Sequence, residues 1–313
     1  MLGCRPTLNA MATTALLDTD IRLGRSTALM GPDNGKYPYG NSLHVQGAEE
    51  SVLIDPSLSI AERGGVPGTV DRMLVSHAHE DHMAGVSTFP DAKLSSHIDD
   101  LLGLQSIEGF MEVYGMPPEI EEVWRPEMIE RFHYEGRDDA TGFVDGQTFD
   151  LGGGVRVEVV HLPGHTKGHS GFLIEPDGVF FVADIDLTSF GPYYGDHWSD
   201  LEDFERAIAR CRAIEAKHYV TFHHKGIIDG HAEFVRQLDR FASVIGDREA
   251  KLLTFLTEPR TMADIVTHRF IYRPGVQLVF ADHVERTSMS MHITRLLRDG
   301  GVVELEPGTF RAA

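Results

Sequence analysis

The sequence predicts an α+β fold whose strands carry donor side chains to one edge of a sheet. Three observations carry that expectation. The segment His77-Ala78-His79-Glu80-Asp81-His82 packs four candidate metal donors into six positions, directly after the apolar run Val70-Asp71-Arg72-Met73-Leu74-Val75-Ser76. Clustered imidazoles repel one another when protonated, whereas a divalent cation favours neutral ring nitrogen and carboxylate oxygen together. Three further strand-like runs end in the same way: Val155–Val160 before His161-Leu162-Pro163-Gly164-His165-Thr166-Lys167-Gly168-His169, Gly178–Ala183 before Asp184, and Lys217–Phe222 before His223-His224. Loops at strand ends are where α/β folds gather an active site. Third, apolar helical stripes separate these runs.

Taken in order, residues 1–25 carry little patterned hydrophobicity and are expected to be a loose or partly disordered lead-in. Leu43, Val45, Val52, Leu53 and Ile54 suggest a hairpin around Gly47–Glu50, ended by Asp55-Pro56. Residues 97–140 read as a mainly helical insertion, its stripe running through Leu101, Leu104, Ile107, Phe110, Met111 and Tyr114, with a stop at Pro117-Pro118. The Gly- and aromatic-rich loop Leu187–Trp198 begins beside Asp184; Tyr193 or Tyr194 is expected to meet substrate, as a hydrogen-bond donor to a developing oxyanion, or else to pack the loop. A helix over Ser199–Ile214 follows, with Asp200 or Ser199 as its N-cap. The domain reading is a lead-in over 1–25, a catalytic domain over 26–247 and a small domain over 248–313. In that last unit helices are expected over Glu249–Leu256, after Thr261 to His268, and over Asp282–Arg298, then a hairpin from Val302 to Phe310.

Composition narrows the context. The 313 residues hold 28 Lys/Arg against 48 Asp/Glu, a formal charge of −20 that argues against broad attraction to nucleic acid or an anionic membrane. The tail from Arg248 is near neutral, so the acidic excess sits in the first 247 residues. Two cysteines, Cys4 and Cys211, without motif partners, and no apolar run of membrane-spanning length read as a soluble, cytoplasmic chain. A small-molecule substrate is the expected partner.

The His77–His82 cluster, the Pro-Gly-His-Thr-x-Gly-His segment at Pro163–His169, Asp184 and the His223-His224 pair, in that order, closely resemble the metallo-β-lactamase superfamily. The resemblance implies an αββα sandwich with two metals between its sheets over roughly residues 25–235. Carried over by position, His77, His79 and His165 would hold the first metal, Asp81, His82 and a late His the second, and Asp184 would bridge them. The late ligand is His223 or His224, with His224 favoured by the alignment and by the alternation of side chains along a strand, and His169 is left to structural contacts. Asp55 would hydrogen-bond a ligating His. Where β-lactam-degrading members carry Cys this chain has Asp184, so antibiotic hydrolysis is not expected. The three-helix-plus-hairpin tail resembles a winged helix, a module appended to some relatives, including proteins similar to glyoxalase II and to certain endoribonucleases. Its near-neutral charge favours dimerisation, giving a homodimer, or pocket closure over DNA reading by Arg286, Arg295 and Arg298.

The resemblance implies a binuclear hydrolase. Two divalent ions about 3.5–4 Å apart would share a hydroxide at neutral pH, with Asp81 orienting it and accepting its proton. Zinc suits the His-rich set best, with iron or manganese as alternatives. A thioester, ester or lactone is the expected substrate, in the manner of the glyoxalase II and lactonase branches. The alternatives are a phosphodiesterase or nuclease on the same metals, a mononuclear iron sulfur dioxygenase, and a non-enzymatic winged-helix regulator.

Overall fold

A computed structural model describes residues 15–313. Two mixed sheets form the body. The first has seven strands in sequence order, β1 (Ile21–Leu23), β2 (Ser26–Leu29), β3 (Ser42–Gln46), β4 (Ser51–Ile54), β5 (Arg72–Leu74), β6 (Lys93–His97) and β7 (Thr141–Phe143). The second runs β13-β12-β11-β10-β9-β8, comprising β8 (Thr148–Asp150), β9 (Arg156–His161), β10 (Ser170–Glu175), β11 (Val179–Ala183), β12 (His218–Thr221) and β13 (Ile227–Asp229). The expected hairpin is β3 and β4, paired antiparallel with Leu43 opposite Ile54 and Val45 opposite Val52.

Alternation along the strands explains the layering. In β4, Val52 and Ile54 enter a core shared with Val157, Phe172 and Phe181 of the second sheet, while Leu53 between them points the other way. Leu53, Met73 and Leu94 pack under helices carrying Phe110, Val113 and Met128. On the far side, Phe180, Val182 and Tyr219 lie under Phe204, Leu238 and Phe241. Side chains on both faces of β4 and β11 are buried, so these strands read as unbroken apolar runs.

The helical insertion is three helices, Leu101–Gln105, Ile107–Tyr114 and Pro118–Glu130. The helix after the aromatic loop spans Leu201–Ala213, and the Asp200 side chain accepts the Asp203 N–H at 2.8 Å as its cap. The tail brings helices Met262–His268 and Ala281–Arg298, the former with a capping box between Thr261 and Asp264, and a sheet ordered β14-β16-β15, comprising β14 (Arg260–Thr261), β15 (Val302–Glu306) and β16 (Thr309–Ala312). Leu252, Leu256, Ile265, Met289 and Ile293 give it a core of its own.

Two expectations need correction. The helix expected over Glu249–Leu256 is the end of one 25-residue helix, His231–Phe255, and position 248 falls inside it. Its apolar face enters the core beside the second sheet through Phe234, Leu238 and Phe241 and that of the tail through Leu252. The expected lead-in also contains β1, which pairs with β2. Residues 1–14, with Cys4, lie outside the described residues. Among the described residues no helix is long and apolar enough to cross a membrane.

Candidate metal centre

The pairing pattern explains why four separate loops meet. Strand β9 is antiparallel to β10 and β10 to β11, so β9 and β11 point the same way, and β12 is parallel to β11. The loops after β9, β11 and β12 therefore leave from one edge of the second sheet. The loop after β5 meets them from the first sheet: the Ser170 N–H donates to the Ser76 carbonyl at 2.9 Å.

Each loop is shaped to aim its donor. Gly164 sits at φ +124°, and a Cβ there would run into the backbone of Phe204, so this turn before His165 needs glycine. Pairing of β11 with β12 slips between Phe181 and Ala183, and Ala183 adopts φ 46°, turning the strand end just before Asp184. Buried Asp100 ties the two sides together: its carboxylate accepts the N–H groups of Ala78 and Gly168, at 3.0 and 2.6 Å, and the Thr166 hydroxyl at 2.7 Å.

Two donor sets result. His77 Nε2, His79 Nδ1 and His165 Nε2 form a triangle with sides of 3.0, 3.1 and 3.1 Å, and Asp184 Oδ2 lies 3.3 Å from His165 Nε2. Asp81, His82 and His223 form the second, with His223 Nε2 3.0 Å from Asp81 Oδ2. Asp184 reaches both, because its other oxygen is 3.0 Å from His82 Nε2.

These sets fit divalent ions. Zn–N bonds of about 2.0–2.1 Å place tetrahedral nitrogens about 3.3–3.4 Å apart, close to the triangle observed. Asp81 Oδ2, His82 Nε2 and Asp184 Oδ1 are buried and make no hydrogen bond among the described residues although neighbours stand 3.0 Å away, and a cation among them would satisfy all three. Burial and the neighbouring imidazoles push His77 well below the ordinary histidine range, toward the neutral form that ligates metals. Burial opposes charge on His223, but Asp184 and Asp81 outweigh it and lift its pKa to about 9. Burial likewise opposes ionisation of Asp184, yet His82 and His223 hold it well below the usual carboxylate range. The pocket calls for positive charge.

Outer contacts hold most donors. Asp55, fully buried, lies 2.8 Å from His82 Nδ1 and accepts the Ser76 N–H and hydroxyl, each at 2.6 Å, which is the contact expected of it. His223 Nδ1 meets the Gly35 carbonyl at 2.7 Å and His165 Nδ1 the Tyr193 carbonyl at 2.9 Å. Phe222 stacks on His82 with centroids 3.6 Å apart. His169 makes structural contacts, through Nδ1 to the Leu162 carbonyl at 2.9 Å and by accepting the Asp184 N–H at 3.2 Å.

His224 gives way as the late donor, and of the two roles expected of Tyr193 and Tyr194 the geometry supports packing. His223, not His224, reaches the second set: β12 ends at Thr221, so strand alternation no longer governs the pair, and His224 turns outward at φ 61°. Tyr194 is buried with its hydroxyl 3.0 Å from His292 Nε2, facing the tail. The Tyr193 hydroxyl donates to Asp196 Oδ1 at 3.1 Å, so neither phenol is free to meet an oxyanion. Sequence reasoning also missed Asp100 and Asp196. Asp196 is fully buried with Oδ2 3.1 Å from His79 Nε2; its only signal was its place in the aromatic loop. A third group, His97, Asp99 and His161, also gathers donors, but its two rings stack within 6° of parallel at 3.9 Å. Parallel rings aim their in-plane nitrogens alongside one another rather than at one point.

No family model matches the chain. The fold matches a metallo-β-lactamase family protein from Thermus thermophilus, at 21% identity and a TM-score of 0.66, covering 90% of this chain and 95% of that one. It also matches a β-lactamase domain protein from Burkholderia ambifaria, at 15% identity and 0.68, covering 94% of each. Among curated proteins, the chain is 28% identical to lactamase-like protein ptaB of Pestalotiopsis fici over 167 residues, 50% of this chain and 43% of that protein. It thus spans less than half the length of that relative. The chain has the metallo-β-lactamase superfamily fold. To that fold the chain adds two buried His/Asp donor sets of the kind that can hold metal ions.

Proposed function

We propose that the chain is a binuclear metallohydrolase acting on a thioester, ester or lactone, as in the glyoxalase II and lactonase branches, with zinc as its metal. The observation that carries the reading is the pair of donor sets sharing Asp184, whose two oxygens face His165 and His82. In the proposal His77, His79 and His165 hold the first ion and Asp81, His82 and His223 the second. Charge supports divalent ions at both sets: Asp81 and Asp184 lie among the donors, and Asp55 and Asp196 stand behind His82 and His79. When bound, the ions supply Lewis acidity and lower the pKa of a water molecule toward neutrality. Asp81, buried among the second donor set, would orient such a water and accept its proton.

The formal charge of −20 supports a small acyl substrate over a long polyanion. Further support comes from two of the three candidate arginines of the last helix, the third, Arg286, being exposed. Arg295 donates to Glu249 at 2.9 Å and pairs with Glu205, and Arg298 pairs with Glu202, so these candidate phosphate contacts are engaged within the chain. We read residues 248–313 as a winged-helix-like unit that supports the site or a homodimer interface. The test is hydrolysis by Zn-loaded protein of a thioester, an aryl ester and a lactone beside an aryl phosphodiester, with Asp81→Ala as control. Acyl cleavage lost in the variant is the expected result; preferential phosphodiester cleavage would overturn the acyl assignment.

A further inference from the structure

The loop from Phe190 to Ser199 touches the first donor set on one side and the tail on the other. Toward the donors it offers the Tyr193 carbonyl to His165 Nδ1 at 2.9 Å and Asp196 Oδ2 to His79 Nε2 at 3.1 Å, and the Ser199 hydroxyl donates to the His165 carbonyl at 2.7 Å. Two of the three histidines in that set thus take their outer partners from a single loop.

The tail grips the same stretch. Arg248 donates to the carbonyls of Pro192 and Phe190 at 2.6 and 2.8 Å. From helix Ala281–Arg298 the Ser288 hydroxyl donates to the Tyr194 carbonyl at 3.1 Å. The Tyr194 hydroxyl donates to His292 Nε2 at 3.0 Å, because His292 Nδ1 already faces Glu249 Oε2 at 3.1 Å. Val284 closes against Gly195, where a Cβ would collide with it, so the helix meets bare backbone one residue before Asp196. His283 Nε2 meets the carbonyl of Tyr114, whose ring stacks on His79 with centroids 5.1 Å apart.

We propose that helix Ala281–Arg298 is a positioning element for the metal centre. Through Ser288, His292 and Val284 it fixes the Tyr193–Asp196 backbone, which in turn sets the ring orientation of His79 and His165 and hence the affinity of the first donor set. The second set takes its outer partners from Asp55 and Gly35, outside the grip of the tail. The inference rests on the reading that the first set holds a metal. It gives the tail a function that needs no nucleic acid. Partners one contact removed from a metal typically change affinity 10–100-fold, and a second remove is expected to give about tenfold.

The experiment uses the full chain, stripped of metal and titrated with Zn²⁺ against a competing chelator, with Co²⁺ as a spectroscopic probe. Wild type should bind two ions per chain. Asp196→Asn should weaken one of them 10–100-fold, and Tyr194→Phe combined with Ser288→Ala should weaken the same one about tenfold and shift the visible Co²⁺ band of that site. Ser288→Thr, which keeps the hydroxyl, should restore the wild-type value in the presence of Tyr194. Thermal melting of the metal-free variants checks that they fold. A folded double variant with unchanged Zn²⁺ affinity and Co²⁺ spectrum overturns the role of the helix even if Asp196→Asn weakens binding. Loss at both sites alike would also overturn it. A wild-type chain that takes up no Zn²⁺ overturns the metal reading and this inference with it.

Discussion

Replacing Asp55 by Asn should weaken the second metal site while leaving the fold in place. Asp55 receives the Ser76 N–H on one oxygen, and on the other the Ser76 hydroxyl at 2.6 Å and His82 Nδ1 at 2.8 Å. In the variant one of those oxygens becomes an NH₂ group. If the remaining oxygen keeps the Ser76 N–H, the amide nitrogen faces His82 Nδ1, two donors in opposition. His82 then favours the tautomer protonated at Nε2, the nitrogen 3.0 Å from Asp184 that must offer a lone pair to a metal. Restoring the useful tautomer costs about 1.4–2.7 kcal/mol, the equivalent of the 10–100-fold loss typical of such partners. Competition with a chromophoric chelator should show one Zn²⁺ constant weakened by that factor and the other nearly unchanged. Activity lost at limiting Zn²⁺ should return in excess. Two unchanged constants would refute the tautomer argument, and a variant that melts early without metal would point to folding instead.

His223→Ala should remove one equivalent of bound Zn²⁺ while His224→Ala retains both, as read by metal analysis of the dialysed proteins. The His292 ring facing Glu249, with Arg295 added, holds that carboxyl at about 2, below its ordinary 4.5. A depressed carboxyl pKa stabilises the fold above the ordinary value and loses that contribution as pH falls. Between about pH 4.5 and 2 wild type should therefore lose stability more steeply than Glu249→Gln, measured by denaturant unfolding across that range. Phe181, fully buried between the sheets, should cost about 3–5 kcal/mol on truncation to Ala, measured by urea unfolding.

Four strand ends were legible because each apolar or alternating run is followed at once by His or Asp, and because donors in that place have little other use. The contact of Asp55 with a ligating His came from the family resemblance; the strand-end logic reached only the donors themselves. It failed where geometry departs from the strand. His223 and His224 differ by one step, and the choice between them is made by a left-handed turn at His224 that no residue type announces. Asp100 and Asp196 were missed because each lies in a loop far in sequence from what it touches; Asp100 and Gly168 are 68 positions apart. Helix His231–Phe255 was under-read because its apolar face serves two cores in succession, so its later half resembled the start of a new unit.

The carboxylate of Asp100 also bears on how the chain comes to its native state. Its partners span both halves of the molecule, and His77 meets His165 across 88 positions, so neither sheet alone can bring the first donor set together. Loop closure over such separations is slow compared with local helix and hairpin formation. During refolding, the far-ultraviolet signal of the helices should recover before the chain can capture Zn²⁺. A nascent chain released before Asp184 and His223 have emerged would carry the densest cluster of imidazoles in the sequence without the carboxylate that joins them into a centre.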